Sequence, residues 1–200
     1  LGAIGAFGGS DLGHSTTITL ASGDQMVFGG LSRGEGIATL RFDAAGKLKG
    51  GSVAADGAGH VIATATARIG ADSYLFTAND GAEAGVAAWR VTASGALVST
   101  GLLTPQTGLW IDTPTAIRTA EIGGQTFVVV AAAGSGTLSV IRVGADGGMT
   151  LADHILDDLD SRFAGATALE VVSHLGATYV LAAGADDGLS LWQLLPDGRL

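Results

Sequence analysis

The sequence predicts an all-β fold, a β-propeller built of four roughly 50-residue, four-stranded blades. The first observation is a recurring segment. It reads Gly36-Ile-Ala-Thr-Leu-Arg-Phe-Asp-Ala-Ala-Gly-Lys-Leu48 and returns as Gly85-Val-Ala-Ala-Trp-Arg-Val-Thr-Ala-Ser-Gly-Ala-Leu97. It appears again from Thr137 to Met149 and from Gly188 to Leu200, so that Arg41, Arg90, Arg142 and Gln193 share one repeat position at separations of 49, 52 and 51 residues. The second is composition: 33 glycines, three prolines and 47% hydrophobic residues describe many short strands joined by tight turns. The third is the pattern between the repeats, where short β-branched and apolar runs alternate with glycine-bearing turns.

Each repeat divides into four strand-like pieces. The first covers Ser15 to Ala21, Val61 to Ile69, Ala116 to Ile122 and Thr167 to His174, rich in Thr, Val, Ile and Ala. Turns at Ser22-Gly23-Asp24, Gly70-Ala71-Asp72, Gly123-Gly124 and Leu175-Gly176 follow, where glycine supplies the positive φ of a tight hairpin. The second piece is the most apolar: Gln25 to Phe28, Tyr74 to Thr77, Thr126 to Ala132 and Thr178 to Ala183. Such runs fit a strand buried on both faces. A polar, glycine-rich loop leads to the third piece, the recurring segment, and the variable fourth piece suits an edge strand. Leu151 to Leu159 has near-helical apolar spacing, but its repeat position is that of the outer strand, and strand or loop is expected.

The repeats run approximately 1–47, 48–96, 97–148 and 149–200, as one propeller domain or fragment. Leu1 to His14 aligns, with one gap, to Leu48 to His60, so the chain starts at a fourth strand and stops where another should begin. An N-terminal strand completing the last blade would close a small ring. The alternative is part of a larger seven- or eight-bladed propeller.

Charge and composition exclude some functions. A net charge of −9 with ten scattered basic residues argues against nucleic acid, whose phosphates need clustered Lys and Arg. Cysteine is absent, so burial and sheet hydrogen bonds must hold the fold. No cleavable signal peptide is visible in the glycine-rich Leu1 to Gly9, and no membrane span is expected, since the longest apolar run, Phe127 to Ala133, falls far short of about 20 residues. Neither a Gly-x-Ser-x-Gly elbow nor a His-Glu-x-x-His pattern nor a phosphate loop occurs.

At the third-strand motif the chain resembles a known family. Leu138-Ser-Val-Ile-Arg-Val143 with Asp146-Gly147, and Leu189-Ser-Leu-Trp-Gln-Leu194 with Asp197-Gly198, are similar to the repeat of lactonase-like β-propellers. The pattern is closer still to propeller regions of secreted RTX-type calcium-binding proteins of marine alphaproteobacteria. The resemblance covers all four repeats and implies a secreted or extracellular protein. It carries no calcium roll, because the Gly-Gly-x-Gly-x-Asp nonapeptide is missing, and no lactonase catalytic set transfers residue by residue.

In a propeller the loops leading into the first strands and those joining the second and third strands open on one face. They collect His14, His60 and Asp112, whose nitrogens and carboxylate suit a divalent metal, against the plainer reading of the histidines as turn residues. Arg33, Glu35, Asp80, Glu83, Asp186 and Asp187 form a charged rim that offers oxygen ligands to Ca²⁺ or stands as solvated loop charge. Asp157, Asp158 and Asp160 read as a solvated loop. The repeated arginines, with Trp89 and Trp192 beside them, read as packing between blades, whereas Trp110 reads as an exposed ligand-stacking residue. The function expected from these features is non-enzymatic: a secreted or surface scaffold presenting loops to a protein or glycan partner, with Ca²⁺ as the cofactor to consider. The alternatives are a lactonase-like or metal-assisted hydrolase working at the axial mouth, and an assembly module that self-associates or belongs to a larger ring.

Overall fold

A computed structural model describes residues 12–31, 34–54, 58–81, 84–158, 160–185 and 188–200. Its strands form four antiparallel sheets, each a meander in chain order. Sheet 1 holds β1 (Leu12–Thr19), β2 (Gln25–Leu31), β3 (Ile37–Phe42) and β4 (Leu48–Ala54). Sheet 2 holds β5 (His60–Ile69), β6 (Asp72–Asp80), β7 (Gly85–Val91) and β8 (Leu97–Leu103). Sheet 3 holds β9 (Pro114–Ile122), β10 (Gln125–Ala132), β11 (Thr137–Val143) and β12 (Met149–Leu156). Sheet 4 has three described strands, β13 (Ala168–His174), β14 (Ala177–Ala183) and β15 (Leu189–Leu194). This is the propeller architecture the repeat predicts, and the stretch from Met149 to Leu156 is an outer strand. The N-terminal strand expected to complete the last blade falls in residues 1–11, outside those described.

The first strands line the axis. β1 packs beside β5, β5 beside β9 and β9 beside β13, while among the described residues no comparable packing joins β13 to β1. An inner strand has no ladder partner on its axial edge, so its backbone groups need another source of hydrogen bonds. Threonines supply part of it. Thr64 Oγ1 donates to the His14 carbonyl at 3.1 Å, Thr66 Oγ1 to Thr17 at 3.3 Å and Thr119 Oγ1 to Thr66 at 2.9 Å. The threonine content of the first pieces therefore ties sheet to sheet as well as favouring strand.

Hydrophobic layers fill the spaces between sheets. Met26 and Phe28 of sheet 1 meet Leu75 and Trp89 of sheet 2; Tyr74 and Phe76 of sheet 2 meet Val128 and Ile141 of sheet 3. Phe127 and Val129 of sheet 3 meet Val180 and Leu194 of sheet 4. Each such side chain contributes about 1.5–3 kcal/mol on full burial. Because sheets 2 and 3 are covered on both faces, β10 is buried without interruption from Phe127 to Ala132, as its continuous apolar run predicts. Trp89 lies in the first layer, with its indole N–H donating to Thr77 Oγ1 at 3.4 Å, and Trp192 meets Phe163 edge-on at 5.2 Å.

A second device joins the sheets at the end remote from the loop face. The turn between third and fourth strands of one sheet seats on the second strand of the preceding sheet. Gly95, Gly147 and Gly198 have φ of 87°, 83° and 92°, and a Cβ on them would meet Met26, Tyr74 and Phe127 respectively. The repeated arginine clasps the same turn: Arg41 Nη1 donates to the Ser94 carbonyl at 2.8 Å and Arg142 Nη2 to the Asp197 carbonyl at 2.6 Å. Arg41 also pairs with Asp24 at 2.6 Å, and Arg142 lies over the Phe127 ring. Arg90 is exposed, and in its sheet the Tyr74 hydroxyl reaches the next turn instead, donating to Ala145 at 3.4 Å. Packing between blades is thus the role of Arg41 and Arg142.

Candidate functional site in the axial cleft

The inner strands enclose a cleft of about 400 Å³ whose polar wall is formed by His14, Thr64, Thr115, Arg118, Thr167 and Glu170. It continues into a second hollow of about 360 Å³ that shares His14, Thr64, Arg118 and Glu170. Arg118 on β9 and Glu170 on β13 occupy one repeat position, where sheets 1 and 2 carry Thr16 and Ala65. Arg118 Nε donates to Glu170 Oε2 at 3.3 Å, and Nη1 donates to the Ile117 carbonyl at 2.9 Å, which fixes the guanidinium across the cleft. Both side chains are about half exposed, so the pair adds little to stability. Its importance is positional, since charge in a cleft with low-dielectric walls acts on a ligand more strongly than on a flat surface. An imidazole, a guanidinium and a carboxylate on one cleft comprise a proton acceptor, a cation for developing negative charge and a group that orients the cation.

Of the residues singled out from sequence, His14 lines this cleft. His60 is half-buried at the start of β5, opposite Asp80 in the β5–β6 pairing, and Asp80 Oδ1 accepts from the Gly81 N–H at 2.7 Å. Asp112 is exposed on the segment leading into β9 and belongs to a loop lock: its N–H donates to Ser135 Oγ at 3.1 Å and its carbonyl accepts from Gly134 at 3.1 Å. His14, His60 and Asp112 are therefore not assembled into a metal set; among the described residues no three His, Cys, Asp or Glu side chains form a group able to hold an ion. The physical reason is that each sits on a different loop or strand start, and the loops are locked to their own neighbours. Glu35 is exposed between β2 and β3. Arg33, Glu83, Asp186 and Asp187 lie outside the described residues. Asp157 and Asp158 serve their own loop, with Asp157 Oδ1 accepting from Phe163 N–H at 2.9 Å and Asp158 Oδ1 from Ser161 N–H at 3.0 Å.

Trp110 is 68% exposed. Close to it in sequence is a feature that composition does not show. Thr113 has φ of 49°, costly for a β-branched residue and rarer still before a proline, here Pro114. The carbonyl of Thr113 accepts from Ala133 N–H at 2.9 Å, and the corner packs over Gly134, where a Cβ would come within 2.6 Å of Asp112 Oδ2. Strain of about 1–3 kcal/mol held by surrounding bonds gathers at ligand-facing corners. Sequence reasoning also passed over Arg118 and Glu170. The signal that could have found them is their shared repeat position, which holds Thr, Ala, Arg and Glu in turn and so departs from the repeat.

No protein-family profile matches the chain, and no curated protein does so. Solved structures do. An exo-β-1,3-galactanase from Phanerochaete chrysosporium, solved with β-1,3-galactotriose, matches 94% of this chain and 48% of its own at 12% identity and a TM-score of 0.64. A GH43 protein from Bacillus licheniformis matches 94% of this chain and 40% of its own at 9% identity and a TM-score of 0.60. A periplasmic gluconolactonase from Pseudomonas aeruginosa matches 94% of this chain and 51% of its own at 20% identity and a TM-score of 0.59. The chain thus spans about half the length of these proteins. At such identities the likeness is one of fold, and it supports the lactonase-like propeller pattern read from the repeats. It overturns the expectation of a non-enzymatic scaffold: the propellers that match this chain are named as glycoside hydrolases and a lactonase, so loops presented to a partner are not the reading that the fold favours. Among the described residues no helix is long and apolar enough to cross a membrane.

Proposed function

We propose that the chain is a lactonase-like hydrolase acting in the axial cleft on a lactone or ester of a sugar or sugar acid. The observation that carries this reading is the convergence of His14 with the Arg118–Glu170 pair on one cleft at the propeller axis. Hydrolysis of a lactone needs a base that takes a proton from water and a cation for the oxyanion formed on the carbonyl oxygen. The ring C–O bond then breaks, and the leaving oxygen recovers the proton. In this reading His14 is the base, Arg118 holds the oxyanion and Glu170 orients Arg118. The gluconolactonase and galactanase likenesses support a carbohydrate-derived substrate, and exposed Trp110 offers a face on which a sugar ring stacks. Lactone is favoured over glycoside because the cleft presents one carboxylate among the described residues, whereas glycoside hydrolysis uses a pair. The finer likeness to secreted RTX-type propeller regions, an extracellular location and one propeller domain, or a fragment of one, over 1–200 belong to the same proposal.

The test is a panel of sugar lactones and aryl esters beside β-1,3-galacto-oligosaccharides, with His14→Gln and Arg118→Met. Lactone or ester turnover should fall by about 10²–10⁴-fold in His14→Gln and about 10²–10³-fold in Arg118→Met. Turnover that survives both substitutions, or activity confined to the oligosaccharides, would sink this assignment.

A further inference from the structure

The second hollow of the cleft is walled by threonines whose hydrogens are already engaged. Thr64 Oγ1 donates to the His14 carbonyl at 3.1 Å and Thr66 Oγ1 to the Thr17 carbonyl at 3.3 Å. Thr119 Oγ1 donates to the Thr66 carbonyl at 2.9 Å. The Thr16 and Thr66 hydroxyls lie 3.4 Å apart, and because the Thr66 hydrogen points to Thr17, Thr16 is the donor of that pair. A hydroxyl carries one hydrogen and two acceptor lone pairs. With each hydrogen held by the frame, the four side chains meet a ligand as acceptors only.

The same hydrogen bonds make the wall rigid. Thr16 stands on β1, Thr64 and Thr66 on β5 and Thr119 on β9, and the bonds that engage their hydrogens tie those strands together. A ligand thus meets acceptors in fixed places, without the ordering cost that mobile side chains add. Arg118 and Glu170 line this hollow and pair with each other, so a neutral ligand suits it better than an ion. The neutral donor that matches a row of acceptors is a hydroxyl. At about 360 Å³ the hollow lies in the usual range of small-molecule sites, about 300–1,000 Å³. The first hollow differs, because Ala63, Ala116 and Leu169 in its lining offer a hydroxyl no partner.

We propose that this threonine wall is the polyol subsite of the cleft. It takes the hydroxyl-bearing side of a sugar ring and selects polyhydroxylated lactones over bare alkyl lactones, with Thr16, Thr64, Thr66 and Thr119 as the specificity-determining residues. The placing of a lactone here, carbonyl toward Arg118 and hydroxyls toward the wall, rests on the hydrolase reading. Recognition of a polyol by the wall does not, and it is read by binding rather than by turnover.

The experiment compares 1,5-anhydro-D-glucitol, a pyranose ring with hydroxyls and no ester bond to cut, with tetrahydropyran, the same ring bare. Ligand-observed NMR titration of the full chain reads both. Wild type should bind the anhydroglucitol at least about 10-fold more tightly, the effect of two or more net hydrogen bonds. Thr16→Val keeps the shape and removes one acceptor, so it should weaken that binding by about 2–12-fold, whereas Thr16→Ser should stay within about 2-fold of wild type. Thr16 gives its hydrogen to a contact of 3.4 Å, the longest of the set, so the shorter ties between strands survive the exchange, and circular dichroism checks the fold. Equal binding of the two rings, no binding of either, or a Thr16→Val variant that binds as wild type does overturns the proposal. A parallel assay of D-glucono-δ-lactone and δ-valerolactone separates it from the reading it deepens. Polyol binding without turnover of either lactone sinks the hydrolase reading and leaves the subsite standing; equal kcat/KM for the two lactones sinks the subsite and leaves the hydrolase.

Discussion

Replacing Gly147 by alanine tests the rule that joins blade to blade. Gly147 sits at φ of 83°, and an added Cβ would lie 2.4 Å from Tyr74 Cε1 and 2.6 Å from Thr100 Oγ1. Tyr74 is 1% exposed and packs with Phe76 in the layer between sheets 2 and 3, so its ring has nowhere to go. The left-handed backbone costs an L-residue about 1–2 kcal/mol. Overpacking against a buried ring adds about 1–3 kcal/mol. Gly46 supplies the control, because it has nearly the same φ, 79°, in the equivalent turn and open space around it. Gly46→Ala should therefore show the backbone cost alone, and the excess in Gly147→Ala, about 1–3 kcal/mol, measures the seat on Tyr74. Urea unfolding at constant m-value reads both, and the excess corresponds to roughly 2–12 °C in Tm for a chain of this size. Equal losses in the two variants would refute the claim that the turn of one blade is held by the strand of the one before.

Other outcomes follow from single contacts. Leu175 lies in a hairpin turn at φ of 51° and is 92% exposed, so Leu175→Asn should stabilise the chain by about 0.5–1 kcal/mol in the same assay, since asparagine accepts that conformation more readily. Arg142→Leu should cost about 1–2 kcal/mol by loss of its bond to the Asp197 carbonyl, whereas exposed Arg90→Leu should change stability by less than about 0.5 kcal/mol; similar losses would contradict the unequal roles assigned to them. Burial, with the Asp72 charge, raises the Tyr74 hydroxyl above its ordinary range. The folded state thus favours the neutral phenol: its contribution is complete below the unfolded value near 10 and is lost as pH rises through the higher folded value. Tyr74→Phe should flatten the alkaline limb of a stability–pH profile, and an unchanged limb would assign that loss to another group.

Much of the frame is legible in the chain. Period, turn glycines and the apolar second strands specify sheets, order and the faces they bury, because strand periodicity and glycine's conformational freedom are local properties. The structural role of the repeated arginine was legible for Arg41 and Arg142, which meet equivalent turns, but not for Arg90, which is exposed while Tyr74 reaches the turn in its place. The make-up of the axial cleft was not. His14 could be named from its loop, but Arg118 and Glu170 are 52 residues apart and become a pair only when β9 and β13 stand side by side. Thr113 shows nothing unusual in sequence, and its positive φ arises from the lock between the Asp112 and Gly134 loops. Sequence proximity to a common face suggested that His14, His60 and Asp112 converge; the loops that hold them keep them apart.

The sequence by itself determined the repeating strand pattern, the turn chemistry and the residues shared by every blade, because these depend on spacing of 2 along a strand and about 50 along the chain. Tertiary structure alone decided which unshared residues meet, and which of the repeated arginines reach the neighbouring turn. Both depend on the rotation from one sheet to the next, a property of side-chain packing between sheets that no single repeat contains.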